Sequence, residues 1–146
     1  MSRGVDVLNA LKSIDWKLVG ASLVLVHGSA LQRSNPRDVD LIVVPSEGID
    51  PEDLAMKVME IVENVLGLEA DVYVLTDPSD ANCFLVLEAF GKGIVLHQDP
   101  YGREVWVKAV NICNDFMLSR RSVRYTETLI EKVMSSAPRK ASRRHS

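Results

Sequence analysis

The sequence predicts an α/β fold in which helices flank a small mixed sheet and a helical extension follows at the C-terminus. Short apolar runs typical of buried strands occur near 22–27, 39–44, 69–75 and 94–97, and stretches with helical spacing of apolar residues lie around them. The stretch 39–75 consists of a strand, a helix and a strand. A crossover of this kind favours parallel pairing of its two strands.

In the first half of the chain, proline and glycine residues mark where the predicted helices and strands begin or end. A helix is predicted over 5–16, a first strand over 22–27, and a second strand over 39–44 that ends at Pro45. The next helix begins at Pro51, because proline suits the first turn and the acidic residues that follow favour the positive end of the helix dipole. Gly67 ends this helix, and a third strand spans 69–75. The expected buried stripe of the helix is Leu54, Val58, Ile61, Val62 and Val65.

The second half is predicted to hold two short elements and two longer helices. A helix over 79–90 is apolar on most sides and should be well buried. A short strand follows over 94–97, and Asp99 to Gly102 has the composition of a turn. Helices over 103–119 and 123–134 complete one domain, 1–134, with its core at about 20–100. The remainder, 135–146, is expected to be a disordered basic tail.

The predicted C-terminal helices have a wide apolar surface. Two neighbouring stripes run along the first of them: Val105, Ala109, Ile112 and Phe116, and Trp106, Val110, Cys113 and Met117. One flank of a small sheet is not expected to bury both, so the segment 103–134 is predicted to bind a protein partner or a second copy of the chain. The alternative is that both stripes are buried within the monomer.

Composition excludes several classes of protein. With 47% hydrophobic and 25% charged residues, the chain resembles soluble globular domains. No apolar run reaches the roughly 20 residues of a membrane helix, and the N-terminus has no signal-peptide pattern. Cys83 and Cys113 lack metal-ligand spacing and are expected to be reduced core residues, which favours a cytoplasmic protein.

Charge is divided unevenly along the chain. From Arg120 onward eight Lys and Arg face two Glu, a net charge of +6, whereas the preceding part carries −9. A basic end on an acidic body indicates contact with an acidic partner, or with nucleic acid as the second candidate. The alternative is a tail that only increases solubility.

Two aspartates open the second predicted strand. Asp38 and Asp40 alternate with Val39, so their carboxylates lie on one face, roughly 6.6 Å apart along the backbone. Two anions this close repel each other, and a divalent cation removes that penalty. Mg²⁺ prefers oxygen ligands and commonly takes one or two carboxylates together with substrate phosphates. The pair therefore predicts a magnesium site.

A glycine turn follows the first predicted strand. Gly28 allows the backbone to approach a ligand closely, and the N–H groups of such a turn suit a phosphate. Ser29 is either a phosphate contact or the N-cap of a short helix. Arg33 and Arg37 either contact a triphosphate or are solvated loop charges. His27 fits a residue at the end of a strand better than a ligand.

Together these residues resemble a known signature. Gly28-Ser29, followed by Asp38-Val39-Asp40-Leu41 at the start of an apolar strand, resembles the motif of the DNA polymerase β-like nucleotidyltransferase superfamily, and over about 20–100 the chain resembles the minimal nucleotidyltransferase (MNT) proteins. The resemblance implies the nucleotidyltransferase fold and a third carboxylate on a neighbouring strand, for which Asp71 is the matching residue. It also implies two Mg²⁺ ions, with Mn²⁺ as the alternative, held by the three carboxylates.

The same resemblance implies a function and a partner. MNT proteins pair with HEPN-type ribonuclease toxins, and the MNT member acts as antitoxin and transfers AMP from ATP to a hydroxyl of the toxin. The expectation for this chain is a metal-dependent protein adenylyltransferase whose catalytic residues are Asp38, Asp40 and Asp71. One alternative is an antitoxin that neutralises its partner by binding, with little or no catalysis. The less favoured alternative is transfer to a small molecule or an RNA end.

Overall fold

The computed structural model describes residues 3–28 and 38–133, and the side chains of 6–28 and 38–119 within them. The elements, in chain order, are α1 (Arg3–Lys12), α2 (Trp16–Val19), β1 (Ala21–His27), β2 (Asp38–Pro45), α3 (Pro51–Leu66), β3 (Glu69–Val74), α4 (Cys83–Lys92), β4 (Ile94–Gln98) and α5 (Pro100–Val133). A 3₁₀ turn, Pro78–Asp80, precedes α4. The expected tail, 135–146, lies outside the described residues.

The four strands form one mixed sheet in the order β3-β2-β1-β4. β1 pairs antiparallel with both β2 and β4. β2 and β3 pair in parallel, as expected when a helix crosses over between two strands. The predicted α/β fold with a small mixed sheet between helices is therefore confirmed.

Side-chain alternation along β2 divides the interior into two cores. Val39, Leu41 and Val43 pack on one face of the sheet with residues of α1, α2 and α3. Ile42 and Val44 point to the other face and pack with residues of α4 and α5. Because side chains of a strand alternate between faces, Asp38 and Asp40 belong to the face that α4 and α5 cover.

Helix α3 begins and ends where the sequence predicts. The side chain of Asp50 accepts a hydrogen bond from the N–H of Asp53 at 3.0 Å, Pro51 fills the first turn, and Gly67 closes the helix with a φ of 67°. The predicted buried stripe is partly wrong. Leu54, Val58 and Val62 are buried, but Ile61 is half-buried and Val65 is 49% exposed.

The predicted first helix is interrupted. α1 ends at Lys12, and the side chain of Asp15 caps a second short helix by accepting a hydrogen bond from the N–H of Leu18. The indole of Trp16 is buried and donates to the carbonyl of Leu11 at 3.0 Å, which packs α2 back against α1. An aspartate capping motif thus overrode the helical spacing of the apolar residues.

Helix α4 starts later and is more exposed than predicted. Asn82 caps it by accepting a hydrogen bond from the N–H of Leu85, so the helix begins at Cys83 rather than at residue 79. Only Val86 and Ala89 are buried among its residues, whereas Phe84 and Phe90 are 63% and 60% exposed. The expectation of a well-buried helix is therefore wrong.

The predicted C-terminal turn and two helices form one continuous helix, α5. Pro100 lies in its first turn, where a missing N–H costs no hydrogen bond. The side chain of Asp99 accepts a hydrogen bond from the N–H of Gly102 at 2.8 Å. The expected turn at Asp99 to Gly102 is therefore the start of the helix. No helix within the described ranges, 3–28 and 38–133, is long and apolar enough to cross a membrane.

Five apolar residues in the described part of α5 belong to the monomer core. Val105, Trp106, Ala109, Val110 and Cys113 are buried against the sheet and α4, so their predicted place in a partner surface is wrong. Ile112 and Phe116, both from the first stripe, are 40% and 51% exposed.

A disulfide joins the two helices on this face. It links Cys83, the first residue of α4, to Cys113 of α5, whose Cα atoms lie 5.1 Å apart. That separation is within the range in which a disulfide forms without backbone movement. The expectation that both cysteines are reduced is wrong in this structure, because α4 packs along α5 and brings them together.

Candidate active site

Three carboxylates meet at one end of the sheet because of the strand register. Asp40 of β2 is the register partner of Asp71 on the parallel strand β3 and of His27 on the antiparallel strand β1. Asp38, two residues earlier on β2, is paired with Glu69. Adjacent strands lie roughly 4.8 Å apart, so the side chains of Asp40 and Asp71 are neighbours on one face.

Asp40 and Asp71 border a cleft of about 390 Å³, whereas Asp38 is not among the residues that line it. Four elements or their ends contribute two residues each: His27 and Gly28, Asp40 and Leu41, Asp71 and Tyr73, and Leu85 and Glu88. Helix α4 forms the wall opposite the strands. The cleft therefore lies at the end of the apolar core that α4 and α5 cover, next to the carboxylates of β2 and β3.

Asp40 is the carboxylate whose ionised form the fold disfavours most. Burial raises the pKa of its carboxyl group, the neighbouring charge of His27 opposes this, and Asp38, Asp71 and Glu88 raise the pKa further. Desolvation and like charges both disfavour the ionised form. A cation bound here would relieve both penalties at once.

Gly28, the residue directly after β1, lies against Asp40. Its φ is 86°, a conformation that residues with a Cβ rarely adopt. A Cβ at this position would also contact the Oδ2 atom and the carboxyl carbon of Asp40. Glycine is therefore required twice here, for the backbone conformation and for the space beside the carboxylate.

His27 is a buried polar residue of the cleft. It is 4% exposed, and its Nδ1 atom has no hydrogen-bond partner among the described residues. Its place at the last position of β1 agrees with the prediction of a strand-end residue. Its charge acts on Asp40, so it also belongs to the electrostatics of the site.

The carboxylates fit a divalent cation by their chemistry. Asp40 and Asp71 are register partners, Asp38 shares their face, and all three offer the oxygen ligands that Mg²⁺ prefers. Asp38 and Asp71 are exposed to solvent and Asp40 is partly buried. Within the described residues, no three His, Cys, Asp or Glu side chains are already arranged as a metal-binding group.

Of the other predicted site residues, one is described by the structure and three are not. Gly28 lies in the cleft, whereas Ser29, Arg33 and Arg37 are outside the described residues. Sequence reasoning did not assign four residues of the cleft to the site: Leu41, Tyr73, Leu85 and Glu88. The signals were weak. Tyr73 shares a strand face with Asp71 by alternation, and Glu88 is the one acidic residue inside an otherwise apolar helix.

A larger depression, of about 700 Å³, lies at the start of α5. Three of its polar side chains are already engaged. Asp99 caps the helix, and Glu104 forms an ion pair with Lys108 at 3.5 Å. The carboxylate cleft is smaller, but Asp40, Asp71 and Glu88 line one space there, so the cleft is the candidate site.

Neither a protein-family model nor a curated protein matches the chain. Solved structures do. A crystal structure of a mutant of the toxin–antitoxin MntA–HepT aligns over 90% of this chain and 98% of the other, with 15% sequence identity and a TM-score of 0.50. The chain has the MNT nucleotidyltransferase fold. At this level of identity the likeness is one of fold.

Two further solved structures align over about the same share of this chain. A toxin–antitoxin crystallised with AMP-PNP is 17% identical over 90% of this chain and 96% of the other, with a TM-score of 0.49. A complex of a tri-AMPylated Shewanella oneidensis HEPN toxin with an MNT antitoxin is 16% identical over the same shares, with a TM-score of 0.47.

Proposed function

We propose that the chain is a metal-dependent nucleotidyltransferase that transfers AMP from ATP to a hydroxyl of a HEPN-type partner protein, and so acts as the antitoxin of that partner. The observation that carries the proposal is the register of β2 and β3, which pairs Asp40 with Asp71 and leaves Asp38 on the same face. The adjoining Gly28 would let a phosphate approach the backbone closely.

The roles of the residues follow from their positions. Asp38 and Asp40 would hold Mg²⁺ against the nucleotide phosphates, and Asp40 and Asp71 would share a second site. When bound, the ions supply charge neutralisation for the attacking and leaving oxygens of an in-line displacement. Asp71 is exposed at the mouth of the cleft, where an acceptor hydroxyl can reach it, so it is suited to orient the hydroxyl and accept its proton.

The reaction balances without a further reactant. The acceptor oxygen forms a bond to the α-phosphorus of ATP, and the bond from that phosphorus to the oxygen bridging to the β-phosphorus breaks. Pyrophosphate leaves, and the hydroxyl proton passes to Asp71 and then to solvent. The transition state is stabilised by charge and position rather than by a covalent intermediate on the protein.

The fold likeness supports the same proposal. The MntA–HepT structure that shares this fold is a toxin–antitoxin, and it carries two Asp→Glu substitutions at positions two apart. Asp38 and Asp40 of this chain have the same spacing at the start of β2. We extend the pairing with a toxin to this chain as part of the proposal.

The direct test is incubation with α-labelled ATP, Mg²⁺ and a HEPN-type partner protein. Label on the partner, lost in Asp40→Asn and retained in Glu69→Gln, is the expected result. Glu69 is a matched control because it is an exposed carboxylate on the same strand as Asp71 but outside the cleft. Tight binding of the partner with no label in any form of the protein would instead show an antitoxin that acts by binding alone.

A further inference from the structure

A groove along α4 adjoins the carboxylate cleft. It has a volume of about 510 Å³ and is lined by Asn82, Phe84, Leu85 and Glu88. Leu85 and Glu88 also line the cleft, so the two concavities share a wall. A molecule whose reactive group lies beside Asp71 can therefore extend directly into the groove.

The groove is held in a fixed relation to the strand that carries Asp71. Tyr73, two residues farther along the same face of β3, accepts a hydrogen bond from the N–H of Asn82 at 2.8 Å. The side chain of Asn82 in turn caps the helix by accepting from the N–H of Leu85. The disulfide at Cys83 attaches the same end of α4 to α5. Three separate links thus position this wall.

The lining combines apolar surface with negative charge. Phe84 is 63% exposed and Leu85 is half-buried, which gives the groove an apolar floor. Glu88 is an exposed carboxylate of the groove, and Asp71 is an exposed carboxylate of the adjoining cleft. Such a surface repels a nucleic-acid backbone and complements a segment that carries positive charge. Aromatic side chains at the centre of a contact commonly supply much of its binding energy.

We propose that the groove docks the segment of the partner protein that carries the acceptor hydroxyl, and that this segment has a Lys or Arg beside the hydroxyl residue and an apolar side chain for Phe84 and Leu85. The proposal rests on the proposed function, since it assumes that a protein hydroxyl is the acceptor. It adds the recognition surface and the chemistry of the sequence that this surface selects.

The first experiment measures binding without catalysis. Three short fluorescent peptides each contain one central tyrosine: the first has flanking Arg and Leu, the second has Glu in place of Arg, and the third has Ser in place of Leu. Anisotropy is measured with the full chain, Mg²⁺ and a non-hydrolysable ATP analogue. The first peptide should bind about tenfold more tightly than either of the others. Equal binding of all three would overturn the proposal.

Variants then locate the binding on α4. Phe84→Ala should weaken the first peptide about tenfold, as expected for the loss of an aromatic anchor, and Glu88→Arg should reverse the preference between the Arg and Glu peptides. Phe90→Ala is the matched control, because Phe90 is equally exposed on the same helix but outside the groove. Equal weakening by Phe84→Ala and Phe90→Ala would show a general surface effect and contradict the proposal.

The outcomes separate this inference from the proposed function. Selective peptide binding with no transfer of label to any acceptor would leave the groove standing and refute adenylyl transfer. Transfer to a partner protein at an unchanged Michaelis constant in Phe84→Ala would refute the groove and leave the transfer standing. A single-stranded oligonucleotide that binds in a Phe84-dependent manner would overturn the assignment of a protein segment.

Discussion

At the scale of single residues, the site is built from groups that a metal-free fold disfavours. Asp40 is partly buried beside three other carboxylates, and the raised pKa of its carboxyl group records that cost. Gly28 occupies a backbone conformation that leaves room for this carboxylate and for little else. Groups retained at such a cost are candidates for function.

The raised pKa of Asp40 predicts that Asp40→Asn stabilises the metal-free protein. A carboxyl whose pKa is higher in the folded state than its ordinary 3.8 prefers to be protonated when folded, so its ionisation opposes folding at neutral pH. The gain in melting temperature should be largest near neutral pH and should shrink as the pH falls through the raised pKa towards 3.8. Melting curves in EDTA measure it.

Glu60→Gln is the control for that prediction, since Glu60 is an exposed acidic residue on α3, away from the cleft. It should change the melting temperature little at any pH. An Asp40→Asn protein that melts below the wild type at neutral pH would mean that the Asp40 carboxylate is a net stabilising group, contrary to its position among like charges.

Gly28→Ala should abolish nucleotide binding. Both Gly28 and Gly48 have positive φ, 86° and 84°, so alanine at either position introduces similar backbone strain of about 1 kcal/mol. A Cβ at Gly28 contacts the carboxylate of Asp40, whereas one at Gly48 has no atom within 4 Å. Calorimetric titration with ATP and Mg²⁺ should detect binding for Gly48→Ala alone. Equal binding by both variants would show that Gly28 does not shape the site.

At the scale of elements, α4 decides the shape of the cleft. It is a short and largely exposed helix, and it is held by the Tyr73 hydrogen bond, by the Asn82 cap and by the disulfide to α5. Its start was difficult to predict because two capping signals follow each other: Asp77 caps the 3₁₀ turn Pro78–Asp80, and the helix itself begins only after Asn82. The tie to Tyr73 is a tertiary contact that helical periodicity does not encode.

The disulfide predicts a measurable dependence of stability on redox conditions. The two cysteines are separated by 30 residues, and a loop of that length corresponds to about 3–4 kcal/mol in the chain-entropy model. Reduction with dithiothreitol should lower the melting temperature of the wild type. The double variant Cys83→Ala with Cys113→Ala should melt low in both conditions. A wild-type melting temperature that does not respond to the reductant would contradict the bond.

Helix α5 shows how local signals can mislead at this scale. Asp99, Pro100 and Gly102 are typical turn residues, yet here aspartate caps the helix and proline fills its first turn. Whether Trp106 faces the core or a partner depends on how the helix lies on the sheet. The sequence predicts two apolar stripes, and only the packing against β1 and α4 shows that most of them belong to the monomer core.

At the scale of the whole molecule, the sheet separates an apolar packing face from the face that carries the carboxylates. The face under α1, α2 and α3 is uniformly apolar, and the opposite face ends in the carboxylates. The β2–α3–β3 crossover was predictable because its caps and its periodicity agree, and it alone places Asp71 beside Asp40. The pairing of β1 with β4 and the residues lining the cleft could not be predicted from the sequence; they are seen only in the tertiary structure.

The most direct test of the proposed site is Asp71→Asn, assayed for both ATP binding and the rate of AMP transfer at saturating ATP. Because Asp71 is placed to orient the acceptor and take its proton, the rate should fall about a hundredfold or more, while the dissociation constant for ATP with Mg²⁺ stays within about threefold of the wild type. A normal transfer rate in Asp71→Asn, or a collapse of nucleotide affinity with the rate at saturation preserved, would contradict the assignment.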